Sequence, residues 1–411
     1  MELFKSTNFD FLGKKWPFIG ASLALTVAGL SSIAMKGGIK YGIDFTGGSQ
    51  MSVKFAGAPP EGRIRSALGA KFGDLTVQRL SDASSTNEVI IGTGLKDEKE
   101  LEQGRKTMID TLTATFGQPQ SGKLEFNNAG EVTLLNRLRD PLQRGGAQLA
   151  EPQLKDLVRA ILAFRNNPPQ SGLITSFDQL STVPGVSANI INALKQECYL
   201  APFAVRSVTV VGPKVANDLR KQAVQATLLA LAGMLAYIAF RFEWIYGVAA
   251  VVAVFHDTII TIGFFSLFNK EIDLTVIAAL LTLVGYSMND TIVIFDRIRE
   301  NLKILRREPL ESLMNKSVNQ TLSRTILTSG LTFLTVIALF LFGGPVLNPF
   351  SFALVVGILI GTYSSVFVAS PIVLFWQNYT EGRKRGGRIP PAPPVKPAVR
   401  QEGRPLAKKA K

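Results

Sequence analysis

The chain has 411 residues, 46% of them hydrophobic, and a mean hydropathy of +0.22, which fits either one large soluble domain or a mixed membrane protein. It holds one His and one Cys and no CxxC, HExxH, GxxxxGK[ST] or GxSxG pattern, so metal centres, nucleotide hydrolysis and nucleophilic catalysis lack their residues; neither an enzyme nor a bound cofactor is expected. The net charge of +14 is concentrated in one loop and the C-terminal tail, where membrane topology and anionic lipid explain it without a nucleic-acid partner.

The distribution of apolar runs favours the membrane. Residues 1–16 precede a run at 17–35 that is too long, and too poor in a small-residue cleavage site, for a secretory leader; it is expected to be a retained first span. Further spans are expected at 222–240, 245–268, 272–295, 325–343 and 349–376, each near or above the ~20 residues that cross a bilayer core. Residues 296–324 form a basic loop carrying Arg297, Arg299, Lys303, Arg306, Arg307, Lys316 and Arg324, and 377–411 a basic, Pro-rich tail expected to be disordered. By the positive-inside rule this loop and both termini are cytoplasmic, and Trp16, Trp244 and Trp376 fall at run ends as an aromatic belt would place them.

Residues 36–221 would then lie outside the cytoplasm. Strand patterns at 50–56, 75–80, 88–93 and 207–212 and helical patterns at 60–72 and 96–116 give the order βαββαβ of a ferredoxin-like unit. The last strand is separated from the rest by an insertion at about 131–203, in which TSFDQLSTVPGVSANIINALKQ, at 175–196, has two helical patterns around Pro184 and Gly185 and resembles a helix-hairpin-helix. Its turn lacks Lys and Arg, so packing or partner docking is favoured over nucleic-acid binding. Cys198 is expected to be a lone, buried thiol.

Several stretches resemble the SecF members of the bacterial SecD/SecF family of protein translocase subunits: YGIDFTGG at 41–48, VGPKVANDLRKQA at 211–223, RFEW at 241–244, HD at 256–257, AALLTLVGYSMNDTIVIFDRIREN at 278–301 and TLSRTILTSG at 321–330. The resemblance covers about 15–378 and leaves the insertion and the tail unexplained. It implies a resistance-nodulation-division half of six helices plus a ferredoxin-like domain, in the bacterial inner membrane. It also implies pairing with SecD, association with the SecYEG channel, and use of the proton gradient to move exported preproteins, without nucleic acid. A proton-driven exporter of lipid or small molecules on the same superfamily fold, and a passive translocon scaffold, are the alternatives.

The polar residues inside the spans carry the candidate mechanism. Asp290 lies about 8 Å inside its span, where a short carboxylate cannot reach water, and is the expected proton site; a polar contact satisfied by neighbouring helices is the plainer alternative. Arg324 opens the next span at a similar depth and could pair with it, while Asn289, Ser287 and Thr291 could hydrogen-bond it. His256 and Asp257 sit mid-span; pointing about 100° apart, they are expected not to form one simple pair, so relay and structural bonding to a neighbouring helix both stand. Gly285, Gly330 and Gly357 are expected at close helix contacts. Asp44, Gly47 and Gly48 join the first span to the outer domain: the resemblance implies a coupling turn, a plain turn is the alternative, and Asp44 could cap it.

Overall fold

In the computed structural model, residues 7–73, 75–79, 87–94, 98–144, 150–241, 243–305 and 307–385 are described. Of the tail expected to be disordered at 377–411, residues 377–385 are helical, and the rest of it and the first six residues lie outside the described residues. Among the described residues, five helical stretches are long and apolar enough to cross a membrane: α1 (Lys15–Met35), α9 (Trp244–Leu267), α10 (Leu274–Ile304), α11 (Leu310–Phe342) and the stretch Val346–Thr380. The last comprises most of α12 (Gly344–Ser364), a π-helical turn at Ser365–Ala369 and most of α13 (Ser370–Arg385). The run expected at 222–240 falls within α8 (Pro213–Arg241).

The loop expected at 296–324 is mostly helix. α10 continues to Ile304 and α11 starts at Leu310, because Ile298, Leu313, Met314 and Val318 recur at helical spacing and pack into one buried cluster beyond the apolar runs. Polar residues on the outward faces hid this continuation. The chain's N-terminal segment is clasped to the same extension: Phe9 N–H donates to Asn319 Oδ1 at 2.9 Å and Phe11 N–H to Asn315 Oδ1 at 2.8 Å, while both amide groups donate back to the Phe9 carbonyl. Leu12 is fully buried beside it.

α1 ends in a Schellman motif, with Gly37 at φ 75° and bonds from Gly38 N–H to the Ile33 carbonyl and Gly37 N–H to the Ala34 carbonyl. A short helix α2 (Ile43–Thr46) then leads into the sheet domain. Its four antiparallel strands, β1 (Gly48–Phe55), β2 (Leu75–Arg79), β3 (Glu88–Thr93) and β6 (Phe203–Val211), lie in the order β2-β3-β1-β6. Met51, Val53 and Phe55 alternate inward from β1. They meet Ile64 and Leu68 of α3 (Glu61–Gly69) and Met108, Leu112 and Phe116 of α4 (Glu98–Phe116), spaced as one helix face.

The helical insertion builds a second core. α5 (Glu131–Arg144), α6 (Glu151–Asn166), a 3₁₀ turn at Phe177–Thr182 and α7 (Ala188–Glu197) pack around Leu134, Leu138, Val158, Ile161, Ile174 and Leu194. This core also takes Phe126 and Cys198, so the module starts earlier than residue 131, at the two-residue strand β4 (Leu124–Glu125), which pairs with β5 (Cys198–Tyr199). Glu125 accepts backbone N–H bonds from Asn127, Asn128 and Ala201, and Arg165 donates to the carbonyls of Phe126 and Ala129. These bonds fix the insertion to the root of β6. Cys198 is free and buried, and burial pushes its thiol up to about 12.

The sheet domain rests on the α9–α10 connection. Burial pushes the Glu271 carboxyl above its ordinary 4.5, with Thr76 and Gln78 of β2 acting in the opposite direction. Its Oε1 is buried without a hydrogen-bond partner. A raised carboxyl binds its proton more tightly in the folded state, so the contact is most stable below the ordinary value and loses stability as pH rises toward the raised one. Glu271→Gln is therefore expected to melt higher than the native protein at pH 8, with the difference shrinking at pH 5. Thermal unfolding of the detergent-solubilised protein at the two values checks this.

Candidate functional site

The bundle interior holds two carboxylates, and each is supplied with donors by a neighbouring helix. Asp257, in the middle of α9, has no exposed surface. Its Oδ2 accepts from Ser287 Oγ of α10 at 2.6 Å and from Ser364 Oγ of α12 at 2.8 Å, and its Oδ1 lies 2.9 Å from His256 Nδ1. An ionised carboxylate buried without such partners would cost several kcal/mol. His256 and Asp257, expected not to form one simple pair of ligands, do meet side chain to side chain, while the carboxylate's other oxygen faces the bundle. The opposite ring nitrogen, Nε2, meets Ser22 Oγ of α1, which also accepts from Tyr363 OH at 3.1 Å. One polar chain therefore joins α1, α9, α10 and α12.

Close helix approach makes this possible. A Cβ on Gly361 would lie 3.1 Å from Ser287 Cβ and 3.5 Å from Asp257 Oδ2, and one on Gly357 would meet the Leu283 side chain at 2.5 Å. Gly357 is thus at a contact, as expected, whereas Gly285 and Gly330 face open space. Ser364, which donates to Asp257, sits where α12 passes into the π-helical turn; there Ser370 Oγ donates to the Ser365 carbonyl five residues back.

Asp290 is 2% exposed and lies three residues beyond Ser287, on the same face of α10. It accepts from Ser329 Oγ of α11 at 2.7 Å. No ion pair to Asp290 forms among the described residues, and Arg324 is exposed. The reason is helical geometry: Arg324 and Ser329 are five positions apart, about 140° round α11, so Arg324 lies off the face that bonds Asp290 and acts on the carboxyl only at a distance, through its charge. Asn289 is exposed too, and Thr291 donates to the Ser287 carbonyl of its own helix rather than to Asp290. Ser22, Ser329, Ser364 and Tyr363 were not singled out from sequence, since isolated hydroxyls in apolar helices carry no periodic signal.

The turn after α1 is built for close approach. Gly47 and Gly48 have φ 72° and 138°, and a Cβ on Gly48 would lie 2.1 Å from the Thr93 carbonyl oxygen. Asp44 does not cap this turn. Its Oδ2 accepts from Leu274 N–H at 3.0 Å, beside Asp273, whose Oδ1 accepts from Val276 N–H; together they cap the start of α10. Gly42 N–H donates to the Ile272 carbonyl and Ile272 N–H to the Lys40 carbonyl, so the segment leading into the turn is strapped to the end of the helix that carries Asp290.

A helical membrane protein with ionisable side chains in its interior, and a sheet domain strapped to one end, is the class that these features define. Residues 191–379 match the family model for the C-terminal part of the protein export membrane protein SecD/SecF, and residues 33–58 match that for the SecD/SecF GG motif. The protein translocase subunit SecF of Koribacter versatilis is 48% identical over 96% of this chain and 98% of its own length. That of Calditerrivibrio nitroreducens is 37% identical over 91% and 96%. The crystal structure of SecDF from Thermus thermophilus, a translocon-associated membrane protein, superposes with a TM-score of 0.61 at 31% identity, covering 91% of this chain. This chain spans 39% of that longer one. The chain belongs to the SecD/SecF family.

The contact between α1 and α9 generates a test of the packing. Gly29 and Gly263 approach so closely that a Cβ on either would lie 2.8 Å from the other's Cα. Gly29→Ala must therefore push the helices apart, and a loss of about 1–3 kcal/mol is expected. Gly20→Ala, where an added Cβ meets nothing within 4 Å, should not destabilise and can gain up to about 1 kcal/mol of helix propensity. Unfolding midpoints in mixed micelles compare the two.

Proposed function

We propose that the chain is the SecF-type subunit of a Sec protein translocase accessory and that it uses proton entry at Asp290 to drive preprotein export. The single observation that carries this is a carboxylate buried between α10 and α11 with one neutral hydroxyl, Ser329, as its donor. A group so placed can hold or release a proton without breaking a structural ion pair. Family membership supplies the activity; a membrane potential on the order of 150 mV supplies roughly 3.5 kcal/mol per charge crossing. That is enough to bias a two-state bundle by a few hundredfold.

In this reading α8 is the second of six spans and the sheet domain is ferredoxin-like. The protein sits in the bacterial inner membrane with both termini and the α10–α11 connection in the cytoplasm, and the domain works on polypeptide at the outer side. SecD packs as the other half of the bundle, against the face where Asn289 and Arg324 are exposed, so that these two complete the relay only in the assembled pair. SecYEG, exported preproteins and lipid are the remaining partners. His256 and Asp257 extend the relay toward α1. Asp44, which caps the start of α10, and Gly47 and Gly48, which lead from it into β1, pass the movement to the domain.

Asp290→Asn is expected to leave membrane insertion and SecD binding intact and to abolish the gradient-dependent part of export. Export kinetics in inverted vesicles, with and without an uncoupler, measure it. Full gradient dependence in the mutant would remove Asp290 from the relay.

A further inference from the structure

α1 is the least buried of the candidate spans, yet its contact with α9 follows one rule. Ser22 meets His256, Gly29 meets Gly263, and Ser32 Oγ meets Ser266 Oγ at 2.8 Å, each pair separated by 234 positions in the chain. The two helices therefore run parallel in a fixed register, held by a seam of small residues with a polar contact on either side of the glycine crossing. Of these contacts only the one at Ser22 includes a titratable group, and His256 is the single histidine of the chain.

The hydrogen-bond directions in that contact depend on one proton. When the neutral ring donates from Nδ1 to Asp257 Oδ1, Nε2 accepts from the Ser22 hydroxyl while Tyr363 OH donates to Ser22 Oγ. When the ring gains a proton, Nε2 becomes a donor. Ser22 must then accept from it, the Ser22 hydroxyl hydrogen turns away, and a neutral bond becomes a charge-assisted one of the stronger kind. The groups facing the ring are Asp257 of its own helix, Tyr363 of α12, whose ring stands edge-on with centroids 6.3 Å apart, and Ser22 of α1. α10 contributes Ser287 to the carboxylate, and Asp290 is the next charged group along that face.

We propose that His256 is a proton-operated latch for α1: the charged ring, anchored on Asp257, grips Ser22 and tightens α1 on the bundle, and the neutral ring loosens it. Ser22 and Tyr363 are positioning residues of this latch. The proposal rests on the reading that protons enter this bundle, but it gives α1, the helix that leads into the Gly47–Gly48 turn, its own response to a proton, separate from Asp290.

The test uses the full chain in lipid nanodiscs, with Cys198→Ser as background. ¹⁵N-histidine NMR gives one pair of ring signals to titrate, and spin labels at Leu23→Cys and Val252→Cys, on exposed faces of α1 and α9, report their separation. The distance distribution should narrow as pH falls, with the same midpoint as the ring titration. Ser22→Ala should abolish the narrowing while the ring still titrates, and Tyr363→Phe should shift its midpoint. A distribution independent of pH, or one that narrows equally in Ser22→Ala, overturns the latch. In Asp290→Asn the latch should still close, so loss of export in that variant and failure of the latch are read separately.

Discussion

Asp257 is a carboxylate with no access to water at the centre of an apolar helix, and the packing around it is arranged to supply donors. Two hydroxyls reach one oxygen from α10 and α12 and the neighbouring imidazole reaches the other. The hydroxyls can approach only because Gly361 keeps α12 against Ser287, and the imidazole in turn fixes α1 through Ser22. Four helices thus share one buried carboxyl group. Removing it would leave the Ser287 hydroxyl without this acceptor in an apolar interior, while Ser364 keeps the Gly361 carbonyl.

α10 links this cluster to the rest of the molecule. Its first turn is capped by Asp273 and by Asp44 from the segment after α1, and its middle carries Ser287 and Asp290. From the cap to Asp290 is about 24 Å of helix. A helix is stiff over that length, so in the proposed relay a displacement at the carboxylate would reach the root of the sheet domain without an intervening hinge. The N-terminal clasp on Asn315 and Asn319 does the same at the other end, tying α1 to α11, whose Ser329 holds Asp290.

Five of the six expected apolar runs fall in helical stretches long and apolar enough to span, and the strands were legible because QMSVKFA alternates and EVIIGT concentrates β-branched residues. The continuation of α10 and α11 past the apolar runs was not, since charged outward faces resemble a basic loop. At the candidate site the carboxylates stood out by their cost, whereas Ser22, Ser329, Ser364 and Tyr363 did not: their role comes from which helices touch, and that is a property of the packing. Asp44 illustrates the same limit. Its partner is the N–H of Leu274, 230 positions away, and nothing local distinguishes that from a turn cap.

The central claim is that a proton is taken up at Asp290 itself. Infrared difference spectroscopy on the protein reconstituted with its SecD partner, stepped from neutral to acidic pH on one side of the membrane, observes that event directly. A carboxylic-acid carbonyl band is expected to grow in, to be absent from Asp290→Asn, and to shift in frequency in Ser329→Ala, where the hydroxyl donor is lost. A band that persists unchanged in Asp290→Asn would place the proton elsewhere and contradict the relay.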